Sequence, residues 1–361
     1  MHWLVSILCV LLLAGCGTGG DNHAVDGDAG PVDSGAEEAA DAGGDPSDPG
    51  TDAGGETDEP ADAGEDPPDP GEAGSHSWSH STFDLDLSGT VIPLTIFLPD
   101  GNGPYPVIVF HHGFQLETGL YTSYGEHLAS WGYVAVLPQM PGGLLDSPNH
   151  RELKEYLLGI LDWIDAAPVQ LEGKADPDLL GLAGHSMGGK ITLLAATEDR
   201  RPLGVFGIDP VDAAGGPFTS PGPDYPSVTP ELMGQIEVPL GLLGETVNAT
   251  CTGFMCQACA PEEDNFHQYY LHAESPAVEI EVLGANHMSF LDDPDCGATC
   301  SACPKGTDNP AVTRRLARRY LTAFFQLVLR DDSAYRTYLA GPGIQADVSA
   351  GLVTGESKNG F

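Results

Sequence analysis

Two spacings of apolar residues follow one another along the chain after residue 82. The first, "TFDLDLSG" with "TVIPLTIFLPD" behind it, alternates apolar and polar side chains, which predicts an antiparallel pair of half-buried strands. The second starts at "YPVIVFHHG", a continuous apolar run closed by Gly113. A run of that kind suits a strand covered on both faces, as in a parallel sheet. "YVAVLPQ", "LLGLAG", "LGVFGIDPV", "EVPLGLLGE" and "AVEIEVLGANH" read the same way. Between these runs the period changes to that of a helix: "YTSYGEHLASWG" stops at Gly132, and the amphipathic "RELKEYLLGILDWIDAAP" is ended by Pro168. "MGGKITLLAATED" and the long "NPAVTRRLARRYLTAFFQLVLR" follow, the latter with Asn309 as N-cap and Pro310 at the first helical position. Strand and helix alternate over about 250 residues. That order predicts an α/β fold: a doubly wound, mostly parallel sheet with antiparallel N-terminal strands. The polar, Gly-rich tail after Arg330 carries little structural signal.

The segment ahead of residue 75 changes the picture of the whole chain. The protein has 361 residues and a formal net charge of −39, but the charge is unevenly spread. Residues 17 to 74 hold 18 of the 53 acidic side chains and none of the 14 basic ones, among many Gly, Pro and Ala. Such a stretch has almost nothing to bury and repels itself, which predicts a disordered, extended linker. The remainder is still near −21, acidic enough to argue against nucleic acid as a partner. The opening "MHWLVSILCVLLLAGCG" reads as an export signal, its apolar part too short to span a bilayer as a mature helix. Leu13-Ala14-Gly15-Cys16 resembles the lipobox of bacterial lipoproteins, in which the cysteine is lipidated; an ordinary secretory signal with an incidental cysteine is the plainer alternative. The organisation expected is therefore a signal peptide over 1–15, lipidated Cys16 and an acidic linker over 16–74, and a single catalytic domain over 75–361. That places the domain in the cell envelope, held to a membrane by its N-terminal lipid. The chain gives no oligomer signal.

Six further cysteines form two late clusters, Cys251, Cys256, Cys259 and Cys296, Cys300, Cys303. Cys256-x-x-Cys259 with Cys300-x-x-Cys303 admits a zinc reading. Export and the even number favour three disulfides instead, with no metal and no cofactor; the pairing stays open among about 15 connectivities.

The candidate chemistry sits in "LAGHSMGGK". Ser186 follows a buried strand, opens a helix and lies in Gly-x-Ser-x-Gly, the context in which that motif presents a nucleophile on a tight elbow. Gly184 and Gly188 let backbone segments pass where a Cβ would collide. A serine needs a base, and "AVEIEVLGANH" delivers His287, the last histidine of the chain, at a strand end about 100 residues later. The other histidines are worse placed: His185 lies within the elbow, His111 and His112 end the strand before Gly113, and His267 and His272 fall in the Cys-linked excursion. For the acid that orients the imidazole, Asp209 and Asp212 follow "LGVFGI", while Glu245 follows the next strand. Position alone leaves them open, although the commoner arrangement in this kind of fold favours Glu245. Two backbone N–H groups must meet the oxyanion. Met187, just after the nucleophile, and Phe114, in the turn after "VIVFHHG", are the candidates. Phe114, Met187, Tyr121 and Tyr124 line an apolar pocket or belong to the core.

"PYPVIVFHHGFQLETGLYTSYGEHLASWGYVAVLPQ", "LAGHSMGGK", "GIDPVD" and "NHMSFLDD" occur in an order that resembles the chlorophyllase family of α/β-hydrolases over roughly residues 80 to 330. "GHSMGG" is also similar to the elbow of the related cutinase-like polyester hydrolases. Chlorophyllases are serine esterases that cleave a long-chain alcohol ester. The resemblance implies the α/β-hydrolase fold, Ser186 as nucleophile, His287 as base and Asp209 of "GIDPV" as acid, with Glu245 the alternative. The activity implied is carboxylic-ester hydrolysis through an acyl-enzyme, on a small apolar, lipid or polyester substrate. A catalytically silent binding protein on the same fold is the competing expectation.

Overall fold

The computed structural model describes residues 67–142, 149–214, 222–251, 258–297 and 299–361. Nine strands form one sheet: β1 (Trp78–Leu87), β2 (Thr90–Pro99), β3 (Tyr105–His111), β4 (Val134–Pro138), β5 (Ala175–His185), β6 (Pro202–Ile208), β7 (Leu240–Glu245), β8 (Ala277–Val282) and β9 (Val353–Lys358), in the order β1-β2-β4-β3-β5-β6-β7-β8-β9. The block from β4 to β8 is parallel, and antiparallel strands close both sides. The sequence reading of an α/β-hydrolase sheet with an antiparallel N-terminal pair therefore holds. Alternation does the sorting. Along β3, Val107 and Val109 face one core, while Ile108 and Phe110 face the other. Both are fully buried, which is why the run shows no polar interruption.

Helices α1 (Thr122–Ser130) and α5 (Pro310–Arg330) cover one face. Helices α2 (His150–Asp165), α3 (Met187–Ala196) and α4 (Phe266–His272) cover the other. Helix α5 starts as its sequence dictates, with the Asn309 side chain accepting from Ala311 N–H and Pro310 at its first turn. No helix among the described residues is long and apolar enough to cross a membrane.

Two expectations need correction. The tail after Arg330 is structured: α6 (Thr337–Ala340) and α7 (Pro342–Ser349) lead into β9, which pairs antiparallel with β8 from Val353↔Val282 to Lys358↔Ala277. An edge strand needs only one well-buried residue, here Val353, so its apolar signal is faint. Residues 67–74, expected within the linker, pack on the domain. Asp69 pairs with Arg315 and Arg319, Glu72 pairs with Arg315, and Gly74 N–H donates to Ser130 Oγ at 2.9 Å. The acidic composition hid specific partners on α5. The export signal, Cys16 and the rest of the expected linker lie outside the described residues.

The late cysteines are cross-linked. Cys259 is bonded to Cys303 and Cys296 to Cys300, while Cys251 is also in a disulfide and Cys256 lies outside the described residues. Three of the four thiols that a Cys-x-x-Cys zinc site would use are thus consumed.

Candidate active site

The elbow begins where β5 ends. Parallel strands β3 and β6 flank it, aligning His111 with Gly184 and His185 with Ile208. The chain then reverses through Ser186 at φ 56°, ψ −124°, a conformation costly for any residue with a side chain. Three hydrogen bonds hold it there: Ser186 N–H donates to Ile208 O at 3.0 Å, and Ser186 O accepts from Lys190 N–H at 3.1 Å and Val211 N–H at 3.4 Å. The flanking glycines are steric necessities. A Cβ on Gly184 would lie 2.5 Å from Gly188 backbone, and one on Gly188 would lie 2.2 Å from His111 O. The strand, the elbow and the helix start are pressed together, and only hydrogen fits between them.

The groups expected to work together meet. His287 Nε2 lies 2.8 Å from Ser186 Oγ, and His287 Nδ1 lies 2.6 Å from Asp209 Oδ2. All three side chains are buried, Ser186 retaining 8% exposure and Asp209 none. Burial pushes the Asp209 carboxyl upward, and the adjacent His287 pulls it back. Asp209 itself sits at φ 44° just after β6, with its N–H bonded to Leu243 O on β7.

The other two acids are occupied elsewhere. Asp212 pairs with the fully buried Lys190 at 3.1 Å. It also accepts from the main-chain N–H groups of Val228 and Thr229 and from both hydroxyls, Ser227 Oγ and Thr229 Oγ1. Glu245 does not reach the imidazole. Its carboxylate accepts from Val247 N–H and Asn248 N–H and so caps the turn leaving β7. Burial first, and the charge of Asp209 second, push Glu245 up to about 8.

His287 is held by its main chain from both sides. Asn248 Oδ1 accepts its N–H at 2.9 Å, and His185 Nε2 lies 3.0 Å from its carbonyl oxygen. The tautomer of His185 follows from its neighbours. Nε2 must carry the proton to meet a carbonyl, so Nδ1 accepts from Tyr121 O–H at 2.8 Å, and Tyr121 O in turn accepts from Gly113 N–H at 3.1 Å. Burial holds His185 far below the ordinary histidine value, so it stays neutral. Tyr121 and Tyr124 are core residues, the latter donating to Phe290 O at 2.7 Å.

His111 and His112 are scaffold as well. His112 Nδ1 donates to Gly113 O and its Nε2 accepts from Met140 N–H, each near 2.9 Å. Burial keeps both neutral, pushing His111 down to about 3. Of the two expected oxyanion donors, Met187 opens α3, where an N–H has no acceptor within the helix. Phe114 sits in the turn after β3 in which Leu116 N–H donates to Gly113 O. His267, in α4, pairs with Glu279 at 3.1 Å. Asn248 and Lys190 carried no motif, because each acts through contacts distant in sequence.

The chain is similar to known proteins over most of the described domain. The chlorophyllase family model matches residues 71–346. Chlorophyllase-1 of Arabidopsis thaliana is 27% identical over 259 residues, covering 67% of this chain and 78% of the relative. Chlorophyllase-2 of the same plant is 24% identical over 252 residues, covering 66% and 78%. Chlorophyllase-1, chloroplastic, of Citrus sinensis is 26% identical over 261 residues, covering 69% and 77%. A match across most of the folded domain, on a sheet and elbow of this design, means that the chain belongs to the chlorophyllase family and is a carboxylic-ester hydrolase.

Proposed function

We propose that the protein hydrolyses apolar esters through a covalent acyl-enzyme, with Ser186 as nucleophile, His287 as general base and Asp209 as the acid that orients it. The observation that carries this reading is the unbroken pair of hydrogen bonds, 2.6 Å and 2.8 Å, from Asp209 through His287 to Ser186 on a strained elbow. As Ser186 Oγ attacks the ester carbonyl, its proton passes to His287 Nε2. Asp209 stabilises the resulting imidazolium without taking its proton. The carbonyl oxygen, now an anion, is met by the N–H groups of Met187 and Phe114, each worth about 3 kcal/mol in the transition state. Collapse expels the alcohol, which leaves with the proton from His287. Water then enters, gives a proton to the same imidazole and releases the acid, restoring Ser186. The substrate class, an apolar ester such as a lipid or polyester, is supported by the family and by Phe114 and Met187, which pack in one apolar cluster. A panel of p-nitrophenyl esters from acetate to palmitate checks it. Turnover rising toward the longer chains supports the reading, and confinement to acetate contradicts the apolar-substrate part.

The domain is further proposed to be an exported lipoprotein, tethered through Cys16 by the acidic segment behind it; the motif "LAGC" motivates this. Cys16→Ala should move the protein from the membrane fraction to the soluble one. Unchanged fractionation would remove the anchor.

A further inference from the structure

We propose that Asn248 is a positioning residue for His287, and that the Cys259–Cys303 disulfide closes the bracket that holds it. This rests on the triad reading above. His287 lies in the loop after β8, where His185, the last residue of β5, holds its carbonyl oxygen and leaves its main-chain N–H to a partner outside the sheet. That partner is Asn248, a buried residue whose carboxamide bonds on both its oxygen and its nitrogen side. Oδ1 accepts His287 N–H at 2.9 Å, and Nδ2 donates to Pro304 O at 3.0 Å. Reversing the amide would set donor against donor and acceptor against acceptor, so the orientation is unique. The main chain of Asn248 is held too. Its N–H donates to the Glu245 carboxylate at 2.9 Å, and its carbonyl accepts from Ala260 N–H at 3.2 Å.

The two outer contacts, Ala260 and Pro304, are each the residue immediately after a cysteine of the same disulfide. A closed ring results, from Asn248 O to Ala260, across Cys259–Cys303 to Pro304, and back to Asn248 Nδ2. Asn286, the neighbour of His287, donates to the same Pro304 oxygen at 2.8 Å. The disulfide thereby couples the excursion that carries it to the placement of the base. Opening it lets both clamps drift, and a misplacement of the order of 1 Å at a reacting group is enough to cost about 100-fold.

The test is a double-mutant cycle on turnover: Asn248→Ala, the pair Cys259→Ala with Cys303→Ala, and all three together, each checked for a cooperative melt above the assay temperature. The bracket predicts a fall in kcat of about 10- to 100-fold for Asn248→Ala, with KM changed by less than about 2-fold. The cysteine pair should lose kcat in the same sense, and the triple variant should lose less than the product of the two separate losses, because both changes break one ring. A normal kcat in Asn248→Ala, a loss confined to KM, or losses that multiply would overturn the proposal. If Asn248→Ala does not melt cooperatively, the cysteine pair alone decides: unchanged kcat removes the bracket. Ser186→Ala runs alongside. Full activity in that variant removes the triad reading itself, whereas an inactive Ser186→Ala beside a normal Asn248→Ala removes only the bracket.

Discussion

Three buried carboxylates lie at or just after the ends of β6 and β7, and the structure separates them by what each accepts. Asp209 takes the His287 ring, Asp212 takes Lys190, and Glu245 takes two main-chain N–H groups. Asp209→Asn should therefore lower kcat by roughly 10⁴-fold, as loss of the orienting acid does elsewhere. Glu245→Gln keeps an acceptor for the turn and should hold kcat within about 10-fold, since it removes no group that touches the imidazole. The same variant has a stability signature. Glu245 is pushed from an ordinary 4.5 up to about 8, so its proton is bound more tightly in the folded state than in the unfolded one. Its contribution is fully present below about pH 4.5 and is lost as the pH rises through about 8. Glu245→Gln should match wild type in melting temperature near pH 5 and exceed it at pH 9. A reversed kinetic ranking would make Glu245 the acid, and parallel pH–stability curves would mean that its carboxyl is not strained by burial. At this scale the sequence exposed Ser186 and His287, because an elbow needs glycines and a base needs a strand end. It could not rank the acids by position, and it hid Asn248, whose two partners lie 39 and 56 residues away.

Elements were legible in proportion to how completely they are buried. The central strands announce themselves because both faces are covered, and α5 does so through its apolar stripe and its Asn-Pro start. The short α4 was missed because it is seven residues long and offers only Phe266, Tyr269 and Tyr270 to the core. Strand β9 was missed because one of its faces is solvent-exposed. The 67–74 segment failed for a different reason. Its order comes from ion pairs rather than apolar burial: Arg319 is sandwiched between Asp69 and Asp347, and Tyr338 O–H donates to Pro67 O at 2.9 Å. Composition reports the acids but not the arginines waiting on α5.

On the scale of the whole molecule, the fold brings together groups 101 and 78 residues apart in sequence. The wound sheet does this by running β5, β6, β7 and β8 parallel side by side so that they end on the same side, with β7 supplying Leu243 O to hold Asp209 and the Glu245 turn to hold Asn248. On the proposed mechanism, activity is a property of the assembled strand ends, not of the Gly-x-Ser-x-Gly motif alone. That joint dependence is open to one direct measurement: the rate at which a fluorophosphonate probe labels wild type, Ser186→Ala and His287→Ala, with the modified residue located by mass spectrometry. Rapid labelling of Ser186 in wild type, none in Ser186→Ala and a rate reduced by orders of magnitude in His287→Ala is the predicted result. Labelling that persists in Ser186→Ala, or that proceeds at the wild-type rate without His287, would contradict it.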